Sequence, residues 1–170
     1  MKKAIAIVAC LAGLACVQAL GEKTVVFANL ASGVNAPITL LTADGDRVPV
    51  GTDYLAQLWA GPSADAITKV GDPVGFAPVA GYFNGGNRDV EAAIAGGNGD
   101  SVIVIQAYKA DTPSMVGLSA PITIAAANLG GGTVPPSVLS GLASFAIVPE
   151  PSTIALGLLG AAFLFLRRRK

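Results

Sequence analysis

The sequence predicts an all-β protein, a single antiparallel β-sandwich of about eight strands between an N-terminal signal helix and a C-terminal hydrophobic helix. Three observations point there. Short runs rich in Val, Ile, Tyr and Phe recur along the middle of the chain. Clusters of Gly, Pro, Asn and Asp separate them, and turn residues at such intervals are the signature of short strands. Apart from residues 90–95, no stretch of the middle supports a helix.

At the N-terminus, Lys2 and Lys3 precede an apolar run that ends at Val17, Gln18 and Ala19. A basic start, an apolar core and small residues at the cleavage positions make residues 1–19 a secretory signal peptide, with Val17 and Ala19 as the signal-peptidase site. The run is short for a retained membrane span. Cys10 comes too early for a lipidation site, and the residues before Cys16 lack the large aliphatic side chain such a site needs.

The sandwich domain is expected over residues 20–128. Its candidate strands are 23–30, 37–41, 54–60, 66–70, 79–83, 88–94, 101–110 and 116–125. Turns are expected at 43–46, 61–63, 71–73, 84–87 and 96–100. The clearest strand is 101–110, where Val102, Val104, Gln106 and Tyr108 alternate with Ile103, Ile105, Ala107 and Lys109. Both faces are largely apolar, as in a central strand. In 54–60, Leu55, Gln57 and Trp59 oppose Tyr54, Ala56, Leu58 and Ala60, and the inward face is ambiguous. Residues 129–147 begin with Gly130-Gly131-Gly132 and Pro135-Pro136 and then regain alternation. They read as a flexible, then stiff, stalk or as a last edge strand.

The tail, 148–170, has three parts in order. Val148-Pro149-Glu150-Pro151-Ser152-Thr153 precedes the apolar run 154–166, and Arg167-Arg168-Arg169-Lys170 closes the chain. A helix over 154–166 reaches about 20 Å, short of a hydrocarbon core of about 30 Å. Ser152, Thr153 and the snorkelling cations extend it to a strained transmembrane helix over 152–166. The terminal cluster acts as a membrane stop, and with Lys2 and Lys3 it stays cytoplasmic, which leaves the middle outside.

The Val-Pro-Glu-Pro-Ser-Thr box, the short apolar helix and the terminal Arg cluster together resemble the PEP-CTERM sorting domain of Gram-negative bacteria. The resemblance implies that an integral-membrane exosortase reads Pro149-Glu150-Pro151, cuts near it and sends the protein to the cell surface or beyond. Residues 54–65 and the approach 139–148 are similar to a group of small PEP-CTERM proteins, which supplies no activity. The two prolines keep the box extended and unpaired, suited to a protease cleft, and Glu150 offers one charge at the membrane edge.

The chain carries no net charge, but its charges are segregated. Between the two end signals, five basic residues (Lys23, Arg47, Lys69, Arg88, Lys109) face ten acids, a balance of −5. Such a surface disfavours nucleic acid, which needs clustered cations. Cys10 and Cys16 lie in the signal peptide, and the chain has no His. The mature region therefore lacks the groups for thiol catalysis, disulfides, His-dependent triads and ordinary zinc sites.

Three weaker constellations complete the reading. Asp44, Asp46 and Asp53 offer oxygen ligands to calcium, but Asp44-Gly45 is foremost a hairpin turn. Trp59, Tyr54 and Tyr82 offer an aromatic platform for sugar rings, although a lone Trp is more often core. The ten acids show no pairing for glycoside hydrolysis. The expectation is therefore an exported, non-catalytic surface or matrix protein with no catalytic, cofactor or metal residues. Its partners are signal peptidase, the exosortase and, transiently, the inner membrane. The alternative is a carbohydrate-binding module on exopolysaccharide.

Overall fold

The computed structural model describes residues 23–112 and 115–149. The signal peptide with Val17 and Ala19, the box residues Glu150, Pro151, Ser152 and Thr153, the helix expected at 152–166 and the cluster Arg167 to Lys170 lie outside the described residues.

The described residues are all-β, with thirteen strands and a single 3-10 turn at Ala126–Asn128. The strands are β1 Thr24–Ala28, β2 Leu30–Ala31, β3 Val34–Asn35, β4 Thr39–Leu41, β5 Arg47–Pro49, β6 Tyr54–Gly61, β7 Thr68–Gly75, β8 Asn84–Asp89, β9 Ser101–Lys109, β10 Val116–Leu118, β11 Ile122–Ile124, β12 Ser137–Val138 and β13 Ala146–Ile147. They form four sheets rather than the two faces of one eight-stranded sandwich. Nor is the pairing purely antiparallel, because β12 runs parallel to β1 and β13 parallel to β4. The C-terminal third of the chain returns to the edges of sheets begun near the N-terminus.

The largest sheet, ordered β10-β9-β6-β7 with β11 also on β9, is built on the two longest apolar runs. β6 and β9 pair without interruption from Tyr54↔Lys109 to Gly61↔Val102. Ala56, Leu58 and Ala60 point inward with Ile103, Ile105 and Ala107, all fully buried. The inward face of β6 is thus the one carrying Leu58, and the alternation expected for 101–110 holds. These side chains meet Phe27, Phe76 and Phe83 in a common core, where Phe83 packs edge-on to Phe76 at 5.6 Å and tilted to Phe27 at 4.7 Å.

Where the sequence suggested turns, two strands run through. Residues 71–73 lie inside β7, where the pairs Ala56↔Val74 and Leu58↔Val70 leave three residues opposite Gln57. The bulge accommodates Pro73, which has no N–H to give to a ladder. The Gln57 amide fills the gap it leaves, with Nε2 3.0 to 3.2 Å from the carbonyl oxygens of Leu58, Val70 and Gly71. Residues 84–87 are the start of β8, paired antiparallel with β1. Its glycine is there for space, since a Cβ on Gly85 would sit 2.5 Å from Phe27 Cδ1.

Three expected strands are cut. In 79–83 the backbone turns, with the Tyr82 amide bonded to the Val79 carbonyl. The strand at 88–94 ends at Asp89, and one helical turn follows, closed by the Ile94 amide on the Val90 carbonyl. The run 116–125 breaks at Ser119, whose Oγ accepts from the Ile105 amide and whose own amide donates to the Ile105 carbonyl. β10 and β11 therefore continue along one edge of β9 with an extra residue between them. Apolar composition alone cannot distinguish such an interruption from a continuous strand.

The segment 129–147, given above as a stalk or an edge strand, contributes the edge strands β12 and β13. It does not stand off the body, because Leu129, Leu139, Leu142 and Ile147 are buried in the common core.

Candidate functional site

The feature of the sequence with the most chemical content is the box at 148–153, and the fold places its root. β4 and β13 pair in parallel with Thr39 opposite Ala146 and Leu40 opposite Ile147, and the Thr39 amide donates to the Phe145 carbonyl at 3.1 Å. Behind this strand lies Gly117 of β10. A side chain there would have its Cβ 2.9 Å from the Ala146 carbonyl oxygen and 3.1 Å from Ile147 Cα, so only glycine lets β10 and β13 approach this closely. Ile147 is fully buried, whereas Val148 is 51% exposed and Pro149 half-buried. The chain thus passes from core to surface in one residue. Pro149 cannot extend the ladder, because it has no amide hydrogen.

Parallel pairing fixes the direction of departure. Val148 and Pro149 follow the course of β4, which leads into the β4–β5 hairpin. That turn is closed by the Thr42 amide on the Asp46 carbonyl and the Gly45 amide on the Thr42 carbonyl, with Thr42 Oγ1 accepting from the Asp46 amide at 3.1 Å. Asp44 and Asp46 are exposed on it, and Arg47 stands opposite Leu41. The backbone at 43–46 is therefore a hairpin turn. Among the described residues no group of three or more His, Cys, Asp or Glu side chains is placed to hold a metal ion.

The three aromatic residues proposed as a platform are not brought together. Tyr54 lies in the core, with its hydroxyl 3.6 Å from Met115 Sδ. Tyr82 is bonded through its hydroxyl to Asn35 Oδ1 at 2.8 Å, on another part of the surface. Trp59, expected in the core, is half-buried on the outer face of the large sheet. β6 turns Tyr54, Ala56, Leu58 and Ala60 inward and leaves the indole outside. The indole Nε1 donates to Gln106 Oε1 at 2.9 Å, and the Lys69 ammonium lies 5.6 Å from the ring centroid, a cation–π distance. Ile67, Val104 and Leu118 complete an apolar concavity of about 240 Å³ around the ring. Gln106 and Lys69 were not singled out from the sequence. The shared alternation phase of 54–60 and 101–110 contains the signal for Gln106, but the pairing register is needed to read it.

Among the described residues no helix is long and apolar enough to cross a membrane. Residues 148–170 match the family model described as a PEP-CTERM protein-sorting motif. No curated protein and no solved structure matches the chain.

Proposed function

Because this chain carries a PEP-CTERM protein-sorting motif at residues 148–170, which marks an exported target of an exosortase, we propose that it is a non-catalytic cell-surface or extracellular-matrix protein. Signal peptidase removes residues 1–19 during export. The tail 152–166 then holds the protein in the inner membrane with Arg167 to Lys170 on the cytoplasmic side, and an exosortase cuts at the Pro149-Glu150-Pro151 box. The mature protein is released to the cell surface or the surrounding matrix.

One observation carries this reading. The motif begins at the residue after buried Ile147, so its removal takes no side chain from the described core. Between the end signals the chain lacks Cys and His, which supports a binding or structural role for the body rather than catalysis.

Mass spectrometry of the protein recovered outside the cell tests the assignment. The expected species starts near Leu20 and ends between Pro149 and Ser152. An intact Arg-rich terminus on surface protein would refute it. Glu150→Gln asks a narrower question, since unchanged processing would remove the carboxylate from the recognition element.

The half-exposed indole of Trp59 favours a second reading, a carbohydrate-binding module on exopolysaccharide. A sugar ring stacks on such a face and bonds to polar groups at its rim, here the Gln106 amide and the Lys69 ammonium. Trp59 is the chain's one tryptophan, so its emission reports directly on binding. A shift that saturates with added polysaccharide and is lost in Gln106→Ala supports the module; no change across a broad glycan panel excludes it.

A further inference from the structure

We infer that the outer face of the largest sheet is an interface between two copies of this chain, which pair face to face about a two-fold axis. Its residues all lie within the folded body, so the sorting assignment does not bear on it. Directly opposed residues of paired strands share a face. Val116 stands opposite Tyr108 and Leu118 opposite Gln106, and Lys69 stands opposite Trp59. The face that carries Leu55, Gln57 and Trp59 on β6 therefore continues across β9 and β10. Outward positions of a sheet that covers a core are ordinarily polar. Here Leu55, Trp59, Val102, Tyr108 and Val116 are half-buried and Leu118 is 59% exposed. No acid falls in β6, β9, β10 or β11, although the chain between the end signals carries a balance of −5. Two such bodies repel one another least when they meet across this face.

Polar donors on the face are already satisfied from within. Gln57 Nε2 is bonded to the carbonyls of Leu58, Val70 and Gly71, and the Trp59 indole Nε1 to Gln106 Oε1. An apolar partner covers them without stranding a hydrogen bond, whereas a sugar would have to compete for them. Lys69 stands on the edge strand β7, where its ammonium can stay in water. Leu118 projects beside the concavity of about 240 Å³ that Trp59, Ile67 and Val104 line. One patch thus offers both a knob and a hollow, the self-complementarity that a two-fold interface requires. Pairing along the edges is obstructed, because β7 carries the bulge at Pro73 and β10 is parted from β11 by Ser119 and Pro121. Over the eight residues of β6 the face is about 27 Å long, and its four strands are about 19 Å across. Its flat footprint is about 500 Å² on each copy and about 1,000 Å² for the pair, the size at which specific interfaces begin. A second copy fits this face in charge, shape and area.

Residues 23–149 contain no cysteine, so a single introduced thiol reports on copy-to-copy contact. The full chain is made in cells as Leu118→Cys and, for comparison, as Asn87→Cys, an exposed position on β8 in another sheet. Both are treated with a bismaleimide cross-linker, with the unaltered chain as the blank for Cys10 and Cys16. Leu118→Cys is expected to give a product of twice the chain mass that contains this chain's peptides alone, and Asn87→Cys is not. Gln106 lies mid-face, between Trp59 and Leu118, where the two-fold axis brings both copies together. Adding Gln106→Glu, which keeps an oxygen for the indole to donate to, is expected to cut the doubled product roughly tenfold through like-charge repulsion. Co-expressing that form with Leu118→Cys, Gln106→Lys is expected to restore it, which also shows that the altered chains fold. Pairing is overturned if Leu118→Cys gives no more doubled product than Asn87→Cys, if Gln106→Glu leaves the yield unchanged, or if the mixed forms stay as poor. A product heavier by some mass other than one further copy overturns it in favour of a different partner. A copy seated here covers Trp59, so a saturable shift of its emission with polysaccharide and no doubled product would assign the face to sugar instead.

Discussion

At the scale of single residues, two buried amides hold together backbone that the ladders leave unpaired. Asn29 is 0% exposed. Its Nδ2 donates to the carbonyls of Ala36 and Gly81, and its Oδ1 accepts from the Phe83 amide, each at 2.8 Å. One side chain thus joins the end of β1, the approach to β4 and the segment before β8. Replacing it with a similar-sized apolar residue leaves the Ala36 carbonyl and the Phe83 amide without this partner, at about 1–3 kcal/mol each in isolation, while the Gly81 carbonyl keeps the Ile38 amide at 2.9 Å. Asn29→Leu is expected to lower unfolding free energy by about 3 kcal/mol or more in urea titration. Gly85 sets the opposite kind of limit. A methyl group there meets Phe27 at 2.5 Å and Val74 Cγ1 at 3.1 Å. Gly85→Ala is expected to cost about 2 kcal/mol through overpacking, although alanine has the better intrinsic preference for ordered backbone. Equal denaturation midpoints for Gly85→Ala and the unaltered protein would show that the ring can move aside.

At the scale of elements, what was legible in the sequence depended on whether pairing merely used the local pattern or overrode it. β6 and β9 were legible because alternating apolar side chains over eight or nine residues leave little choice of structure. β7 and β8 were not. Gly71-Asp72-Pro73 and Asn84-Gly85-Gly86-Asn87 have the composition of turns, yet each lies in a strand. In one case Gln57 satisfies the carbonyls of a bulge, and in the other the ring of Phe27 occupies the space a side chain would take. Both reasons are tertiary and involve partners thirteen or more residues away in the chain. The aromatic site failed for a local reason, because Tyr54 and Trp59 stand on opposite faces of β6 and Tyr82 lies in a separate turn. The sorting box was legible because its recognition depends on residue order along the chain. The segment after Asn128 carries a direct test. Ending the chain there removes Leu129, Leu139, Leu142 and Ile147 from the core, with each large-to-small loss alone costing about 2–5 kcal/mol. Such a sum approaches the whole stability of a domain. The shortened protein is expected to show no cooperative thermal transition by circular dichroism, whereas a separate stalk would leave the melt unchanged.

At the scale of the whole molecule, the proposed processing and the fold impose one joint condition on the cleavage position. Residues 23–149 must be stable without a disulfide, since both cysteines, Cys10 and Cys16, precede them in the chain. Their cohesion therefore rests on the packed core, and β13 belongs to that core through Ile147. A cut after Pro149 or later leaves β13 in place against β4. A cut before Ala146 removes a buried isoleucine, exposes the edge of β4 and uncovers the surface of Gly117 that β13 shields. Losing Ile147 alone is worth about 3 kcal/mol, or a fall of about 10 °C in Tm for a body of this size. A protein spanning residues 20–149 and one spanning 20–145 are thus expected to melt about 10 °C apart. Neither Tm should change on adding a reductant. If the two melted together, β13 would contribute nothing to the stability of the body, and the folded region would in effect end before Ala146.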